Sequence, residues 1–477
     1  MKRTRKLLIS FLLVIMLCTT TLQATIVDLK DLYKANIGTN INVALDKLVM
    51  EYGDILEIRE IGKSAVGQIP IKAVKLGKAK RSIIVNGVHH ARETMTGILT
   101  VNHIEDLAEA YRKNETRHGY LVKQLLDTVA IWFVPMLNPD GANLAMSTKP
   151  SWKANGRGVD LNRNYPTLYA RTIPSRYPGS QGYAGAKPLS EPETQALYKL
   201  CEEMQFETAV AYHSAGRVIY WWYHQTGNLY TESIKEVRML SNLTSYSIMP
   251  ISSQRGGLGF TDWFIQKYKK TGYTIEIGKT VNGRPLAWSE YAAVWRQNKD
   301  VPLRLIISTL QRETRPWKTT INGKQVRGEL IFDTGMVPLR QACDALGLTM
   351  GYDSNKKVTT VTKYNQRLEM VLGQKMALLN GEEVELTLPA YVKANITYIS
   401  LRDLNTYFSQ IVPVEKPAEK PAEKPVETPI EIPTEEEVIE KEEQTTENTE
   451  ETSKTEAEII DSDYLETTKE NDDFVEM

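Results

Sequence analysis

The sequence predicts a layered α/β domain, followed by a smaller β-rich domain and an acidic tail. From about residue 25 to 313, short apolar runs alternate with stretches of helical periodicity, which is the pattern of an α/β domain. From 316 to 410, short β-patterned runs dominate. From 412 to 477 the chain is rich in Glu, Thr and Pro, so we expect this tail to be disordered.

Continuous apolar runs mark the strands of the first domain. Those predicted as strands are Ser82–Val85, Val129–Met136, Phe206–His213 and Tyr273–Ile277. The predicted helices are Arg92–Tyr111 and Ser190–Glu203. Strands that are apolar at every position indicate a sheet covered on both faces.

A weak internal repeat organises the second domain. Ile321–Val326 and Leu379–Val384 each contain an Asn-Gly pair, and each is followed along the chain by a short motif ending in Leu-Arg. Asn-Gly between β-patterned runs is a strong hairpin signal. Each unit is therefore predicted to be a hairpin followed by a short helix.

The first 24 residues predict a secretory signal peptide. Four basic residues precede the apolar run Leu7–Cys18, which is shorter than the ~20 residues needed to span a bilayer. The mature chain is expected to begin near Thr25, to have no transmembrane segment, and to act outside the cytoplasm or in the cell envelope. An uncleaved membrane anchor is the alternative.

Charge divides the chain in two. Residues 412–477 carry 6 basic and 23 acidic side chains, and the other 411 residues carry 52 and 36. A basic body suits an anionic cell envelope, and we expect no nucleic-acid partner. Only Cys18, Cys201 and Cys343 are present, so a metal would need His and carboxylate ligands.

Two histidines and two carboxylates are the candidates for chemistry. His90 and Glu93 are three residues apart, a weak signal alone, and His213 ends a predicted strand. Together they would give a metal three protein ligands and leave a position for water. Taken alone, His213 is more typical of a core histidine. Glu276 interrupts an apolar strand, which is costly unless the carboxylate is functional or paired.

The segment Trp152–Asn164 concentrates cations and amides. Asn162 and Arg163 are candidates to clamp a substrate carboxylate. Arg157 or Lys153 could polarise a scissile carbonyl, and Asp160 could accept from a ligand histidine. The alternative is a solvated basic loop.

Six motifs in order resemble the zinc carboxypeptidase family. They are GVHHARE (Gly87–Glu93), NPDG (Asn138–Gly141), GVDLNRN (Gly158–Asn164), AYHS (Ala211–Ser214), TDWF (Thr261–Phe264) and TIEIG (Thr274–Gly278). The resemblance implies a mixed eight-stranded sheet flanked by helices and one zinc ion on His90, Glu93 and His213. It also implies Glu276 as base and proton shuttle, with Asn162 and Arg163 as the clamp.

Two departures from the family pattern affect the expected roles. Lys153 stands where the family's electrophilic arginine is expected, so that role is assigned to Arg157. Ser253 and Gln254 occupy the region of the family's lid tyrosine, and Tyr246 is the nearest tyrosine. These departures leave open a non-catalytic envelope-binding protein that keeps the fold.

The amino-acid sequences of two segments are similar to those of bacterial γ-D-glutamyl-diaminopimelate peptidases. These are WKANGRGVDLNRN and HSAGRVIYWW. The resemblance implies a secreted metallopeptidase that cuts peptidoglycan stem peptides, with a general metallocarboxypeptidase as the alternative. Residues 317–408 resemble the copper amine oxidase N-terminal-like domain, but they contain no His, so we expect an accessory, envelope-associated module without copper.

Overall fold

A computed structural model describes residues 25–168, 175–251, 258–279 and 283–408. The helices of the first domain are α1 (Leu29–Leu32), α2 (Ile37–Tyr52), α3 (Met95–Arg112), α4 (Val122–Thr128), α5 (Pro139–Ala145), α6 (Pro192–Met204), α7 (Gly227–Thr244), α8 (Phe260–Tyr268), α9 (Tyr291–Asn298) and α10 (Val301–Glu313). Its strands are β1 (Leu56–Lys63), β2 (Pro70–Leu76), β3 (Ser82–Asn86), β4 (Thr116–Arg117), β5 (Tyr120–Leu121), β6 (Ala130–Val134), β7 (Thr208–Ser214), β8 (Val218–Tyr220), β9 (Ser247–Ile248) and β10 (Thr271–Ile277).

Eight of these strands form one mixed sheet in the order β1-β2-β6-β3-β7-β10-β8-β9. The four central strands β6, β3, β7 and β10 are parallel to one another. Strands β1 and β2 on one side join antiparallel to their neighbours. On the other side β8 is antiparallel to β10, and β9 is parallel to β8. The predicted mixed eight-stranded sheet is confirmed.

The sheet is covered on both faces, as its apolar strands predict. Every residue of β3 and β6 is buried. Residues of α2, α3 and α10 join the core cluster on one face, and residues of α6 and α8 join the cluster on the other. Parallel strands buried in this way place their carboxyl ends at one common edge, where α/β folds locate their sites.

The predicted start of one helix is wrong. We expected a helix from Arg92, but α3 begins at Met95. The Thr96 hydroxyl donates to the Glu93 carbonyl at 2.7 Å and accepts from the Val88 amide at 2.9 Å. These bonds hold the segment between β3 and α3 in a turn, so His90 and Glu93 lie in a loop before the helix.

The second domain has two five-stranded sheets. One has the order β11-β12-β13-β20-β19 and the other β14-β15-β16-β17-β18. The strands are β11 (Thr314–Ile321), β12 (Lys324–Ile331), β13 (Thr334–Pro338), β14 (Thr349–Asp353), β15 (Val358–Lys363), β16 (Gln366–Val371), β17 (Met376–Leu379), β18 (Glu382–Glu385), β19 (Tyr391–Lys393) and β20 (Ile396–Ser400). The helices are α11 (Leu339–Leu346) and α12 (Leu401–Phe408).

Both predicted Asn-Gly hairpins are present. Asn322-Gly323 joins β11 to β12, and Asn380-Gly381 joins β17 to β18. All four residues have positive φ, between 46° and 90°, as a two-residue turn with the strands' own twist requires. A short helix comes later in each unit, as predicted, but one strand (β13) separates the first hairpin from α11 and two strands (β19 and β20) separate the second hairpin from α12.

The proposed leader (1–24) and the proposed tail (412–477) lie outside the described residues. Within the described part, no helix has both the length and the apolar character needed to cross a membrane.

Candidate metal and active site

Three buried side chains converge at the carboxyl edge of the central strands. His90 Nδ1 lies 3.1 Å from His213 Nδ1. The Glu93 carboxylate places one oxygen 2.8 Å from each of these nitrogens. Among the described residues, this is the group of side chains that could hold a metal ion. The structure therefore brings together the three metal ligands predicted from the sequence.

The fold brings the three ligands from distant parts of the chain. His90 and Glu93 lie in the loop after β3, and His213 lies near the end of β7. Asn138 fixes this loop from the side, since its amide donates to the His89 carbonyl at 3.1 Å and to the Ala154 carbonyl at 3.2 Å. Asn138 of the NPDG motif thus connects the ligand loop to the segment that follows Trp152.

The donor set fits zinc. Zinc held by nitrogen and oxygen at ~2.0–2.1 Å in a tetrahedral site places its ligand atoms roughly 3.3 Å apart, close to the 2.8–3.1 Å seen here. His90 Nε2 faces Asp160 at 3.1 Å. A proton on that nitrogen leaves Nδ1 as a bare acceptor facing a carboxylate, and a cation would complete such a set of acceptors.

Electrostatics favour the charge states that bind a metal. Burial would raise the pKa of Glu93, but the two facing imidazoles hold it below its ordinary value. Burial lowers the pKa of His213, despite the opposing effect of Glu93. An ionised carboxylate and a neutral imidazole are the forms that coordinate zinc.

Asp160 lies behind His90, as predicted. Its Oδ1 faces His90 Nε2 and also accepts from the backbone amide of Asn162 at 3.1 Å. Its Oδ2 lies 2.8 Å from Lys153 Nζ. Burial opposes ionisation of Asp160, yet His90 and Lys153 hold its pKa well below the usual value.

Glu276 lies beside the triad on the same face of the sheet. In the parallel pair β7/β10 it is in register with His213, and paired residues of neighbouring strands project to one face. Burial, with a further contribution from the Glu93 charge, raises the pKa of Glu276 well above its ordinary value. A carboxyl group beside a metal triad that holds its proton more tightly than usual is suited to proton transfer.

Asn162 and Arg163 lie on the His213 side of the triad. The side-chain nitrogen Nδ2 of Asn162 is 3.4 Å from His213 Nε2, and the side-chain oxygen Oδ1 of Asn162 accepts from the Phe260 backbone amide at 2.9 Å. Arg163 donates from Nη1 to the Asn162 carbonyl at 2.7 Å. Its Nε is buried without a hydrogen-bond partner in the described part of the chain, so this guanidinium keeps a free donor, as the predicted clamp requires.

The structure does not bring Arg157, the residue predicted to act on the reacting carbonyl, into contact with the triad. Its side chain is 52% exposed, 4.0 Å from Glu191, and donates to the Ala65 carbonyl at 3.4 Å. None of its hydrogen bonds or ion pairs among the described residues reaches the triad. Lys153, with only 17% of its side chain exposed, instead reaches the site through Asp160.

The reason lies in a tight turn. The Asn155 amide donates to the Val159 carbonyl at 2.8 Å, and the Asn155 side chain accepts from the Arg157 and Val159 amides at 3.0 Å each. This turn places Arg157 at its tip. The residues before the turn remain beside the ligand loop, where the Ala91 amide donates to the Lys153 carbonyl at 3.0 Å.

One site residue was missed. Arg92 lies between two ligands in sequence, donates to the Ser151 carbonyl at 3.2 Å, and lowers the pKa of Glu276 by its charge. Its position inside the HHARE motif was the available signal. The lid tyrosine is not identified: Tyr246 is buried and bonded to Asn298, while Ser253 and Gln254 lie outside the described residues.

Comparison with known proteins agrees with this geometry. A model of the zinc carboxypeptidase family matches residues 41–273, and a model of the copper amine oxidase N-terminal domain matches residues 320–417. The chain is 32% identical over 261 residues to gamma-D-glutamyl-L-diamino acid endopeptidase 1 of Lysinibacillus sphaericus, covering 50% of this chain and 64% of that protein. It is 30% identical over 287 residues to the uncharacterized protein YqgT of Bacillus subtilis, covering 54% of this chain and 74% of that protein.

Among solved structures, bovine thrombin-activatable fibrinolysis inhibitor is similar at a TM-score of 0.48 and 20% identity, covering 59% of this chain and 95% of that one. This similarity is too weak to support a statement about function.

Proposed function

Since the chain belongs to the zinc carboxypeptidase family of metallopeptidases, we propose that it hydrolyses an amide bond next to a carboxylate-bearing residue of peptidoglycan stem peptides, in substrates of the γ-D-glutamyl-diaminopimelate type. The observation that carries the chemistry is the buried triad with Glu276 in register beside His213. The similarity of the chain to gamma-D-glutamyl-L-diamino acid endopeptidase 1 of Lysinibacillus sphaericus supports this substrate class.

The family uses one zinc ion, and His90, Glu93 and His213 would hold it. When bound, zinc supplies a Lewis acid that polarises a carbonyl and makes water more acidic. Asp160 keeps the His90 ring oriented with Nδ1 towards the ion. The burial of all three ligands removes competing water and strengthens every charge interaction in the site.

Glu276 is the proposed base and proton shuttle. It takes a proton from the attacking water and returns it to the leaving amine. Its raised pKa means that it holds the proton more readily than an exposed glutamate between these two steps. For the developing oxyanion we propose Lys153 rather than Arg157, because the charge of Lys153 lowers the pKa of both Glu276 and His213 and therefore acts within the site.

Asn162 and Arg163 are proposed to hold the carboxylate of the leaving residue. The free Nε donor of Arg163 and the position of Asn162 behind His213 support this role. A carboxylate fixed there would set the adjacent amide bond at the metal and the base, which is the positioning that accelerates a two-component reaction.

The remaining sequence expectations are part of the same proposal. We propose secretion to the cell exterior or envelope, with a leader over 1–24, a catalytic domain over 25–313 and an accessory domain over 316–410. A peptidoglycan substrate lies outside the cytoplasmic membrane, so secretion and substrate class are mutually consistent.

Mass spectrometry of a muropeptide digest tests the proposal. The full-length protein should release diaminopimelate-containing fragments from stem peptides, lose this activity with a chelator, and regain it with zinc. The Glu276→Gln variant is the matched control, since it should bind zinc without producing fragments. Cleavage at a terminal residue alone would instead assign a carboxypeptidase, and a complete lack of zinc-dependent cleavage would reject the peptidase proposal.

A further inference from the structure

The two histidine ligands are held in different ways. His90 Nε2 faces the Asp160 carboxylate at 3.1 Å. His213 Nε2 instead faces the side-chain nitrogen of Asn162 at 3.4 Å. The side-chain oxygen of Asn162 is turned elsewhere, because it accepts from the Phe260 backbone amide at 2.9 Å. His213 therefore lacks the acceptor that usually orients a coordinating imidazole.

The metal-bound form of His213 makes this difference larger. An imidazole that ligates through Nδ1 carries its proton on Nε2, so Nε2 becomes a donor. The side-chain nitrogen of Asn162 is also a donor, and two donors do not form a hydrogen bond. His213 is only 1% exposed, so bulk solvent does not take the place of an acceptor. The orientation of the His213 ring therefore depends on the side chains packed against it.

Two imidazole rings pack against His213. The ring of His90 meets it edge-on, with centroids 4.6 Å apart and planes at 61°. The ring of His89 stacks on it, with centroids 5.5 Å apart and planes at 23°. Aromatic pairs favour offset stacking with centroids roughly 4.5–7 Å apart. Of the two neighbours, His89 is the one that is not itself a ligand, and its stacked ring limits the rotation of His213.

His89 is itself held in place. It is fully buried, and its Nε2 lies 3.1 Å from the Tyr165 hydroxyl. Tyr165 is fully buried too and stacks on Trp263 of α8, with centroids 5.7 Å apart and planes at 26°. The Asn138 side chain also donates to the His89 carbonyl at 3.1 Å. Tyr165 and His89 thus form a sequence of fixed rings that ends on the metal ligand.

Packing alone does not explain a histidine at position 89. Its Nδ1 is buried without a hydrogen-bond partner in the described part of the chain, and an apolar side chain of similar shape would avoid that cost. His103 has the same unpartnered nitrogen, so this feature by itself does not indicate a function. His89 differs from His103 because its ring lies on a metal ligand while a hydroxyl fixes it from the edge.

We propose that His89 is a positioning residue, which together with Tyr165 holds the His213 ring with Nδ1 directed at the metal ion. His89 does for His213 what Asp160 does for His90. The inference deepens the proposed function, since it rests on the zinc site of that proposal. It assigns no contact between His89 and the ion or the substrate.

The zinc affinity of the full-length chain tests this role. His89→Leu removes both the stacked face and the bond to Tyr165, so the zinc dissociation constant from chelator competition should rise about tenfold. His103→Leu is the matched control. His103 is equally buried, stacks on Tyr212 with centroids 5.8 Å apart, and lies 3.0 Å from the Asn298 carbonyl. No hydrogen bond or ring contact of His103 within the described ranges reaches a metal ligand, so the control should change the constant by less than about twofold.

Two milder variants separate the stacked ring from the hydrogen bond. His89→Phe keeps a planar ring against His213, and Tyr165→Phe keeps both rings, but each removes the bond between Nε2 and the hydroxyl. Each should therefore weaken zinc binding by about threefold. Tyr165→Phe added to His89→Leu should weaken it no further, because the leucine has already removed that bond.

Cobalt in place of zinc reports the ligand geometry through its visible absorption bands. His89→Leu should shift these bands, whereas His103→Leu should leave them in place. His89→Phe should restore the wild-type bands, because it again places a planar ring on His213. A change in overall stability alone would not produce this order.

Unchanged zinc affinity and unchanged cobalt bands in His89→Leu would overturn the inference, and so would equal losses in His89→Leu and His103→Leu. A further loss from Tyr165→Phe on the His89→Leu background would show that Tyr165 does not act through His89. None of these measurements requires turnover, so each of these results leaves the proposed hydrolysis standing. A wild-type chain that binds no zinc would reject the proposed function and this inference together.

Discussion

Asp160 offers the sharpest test of the metal site, because it supports a ligand without contacting the metal. Its side chain is 1% exposed, accepts from His90 and from the Asn162 amide, and pairs with Lys153. Asp160→Asn keeps the shape and one acceptor oxygen but removes the charge that orients His90. Loss of such a partner weakens metal binding by about 10- to 100-fold, which corresponds to about 1.4–2.7 kcal/mol.

Zinc dissociation constants measured by competition with a chelator would show this change. Asp127→Asn is the matched control. Asp127 is also 1% exposed and accepts from the Tyr111 hydroxyl at 2.9 Å, but it has no link to the triad. Unchanged zinc affinity in Asp160→Asn would refute the proposed support of His90. An equal loss in Asp127→Asn would show that the effect is only general destabilisation.

Four further predictions concern the reaction. Glu276→Gln should retain zinc and lose hydrolysis, and near-normal turnover would remove the assigned base. His213→Ala should abolish stoichiometric zinc binding by elemental analysis, whereas retained zinc would remove this ligand. Lys153→Met should lower kcat/KM by about 10²-fold, whereas Arg157→Met should change it by less than about twofold. A larger effect of Arg157→Met would assign the oxyanion role to Arg157 instead of Lys153. Burial raises the pKa of Glu276 in the metal-free protein, so there its carboxyl group should titrate above pH 4.5; a titration at or below that value, followed by NMR without zinc, would contradict the environment described for Glu276.

The sheet could be predicted closely because its strands are determined by local composition. The runs predicted at Ser82–Val85 and Val129–Met136 correspond to β3 and β6 within two residues at each end. Their apolar character is required wherever both faces of a strand are covered. The early start predicted for α3 failed for the opposite reason, since hydrogen bonds of Thr96 with Val88 and Glu93 override the local helical pattern.

The metal ligands could be predicted because two histidines and one glutamate that occur together as a set have few functions other than metal binding. The choice between Lys153 and Arg157 could not be made, because the two cations are equivalent in sequence and only the turn around Asn155 separates them in space. Arg92 stands inside the HHARE motif, but its hydrogen bond to Ser151 and the effect of its charge on Glu276 appear only in the structure.

The register of β10 beside β7 bears on which loops can change length. Lys269 and Lys270 are the whole connection from α8 to β10, and Lys269 closes the helix in the left-handed region at φ +51°. Lys270 also pairs with Glu207, directly before β7. An extra residue here that shifted the register of β10 by one position would turn the Glu276 carboxylate to the opposite face of the sheet. Such a register shift would separate the Glu276 carboxylate from the metal ligands even in a chain that still folds.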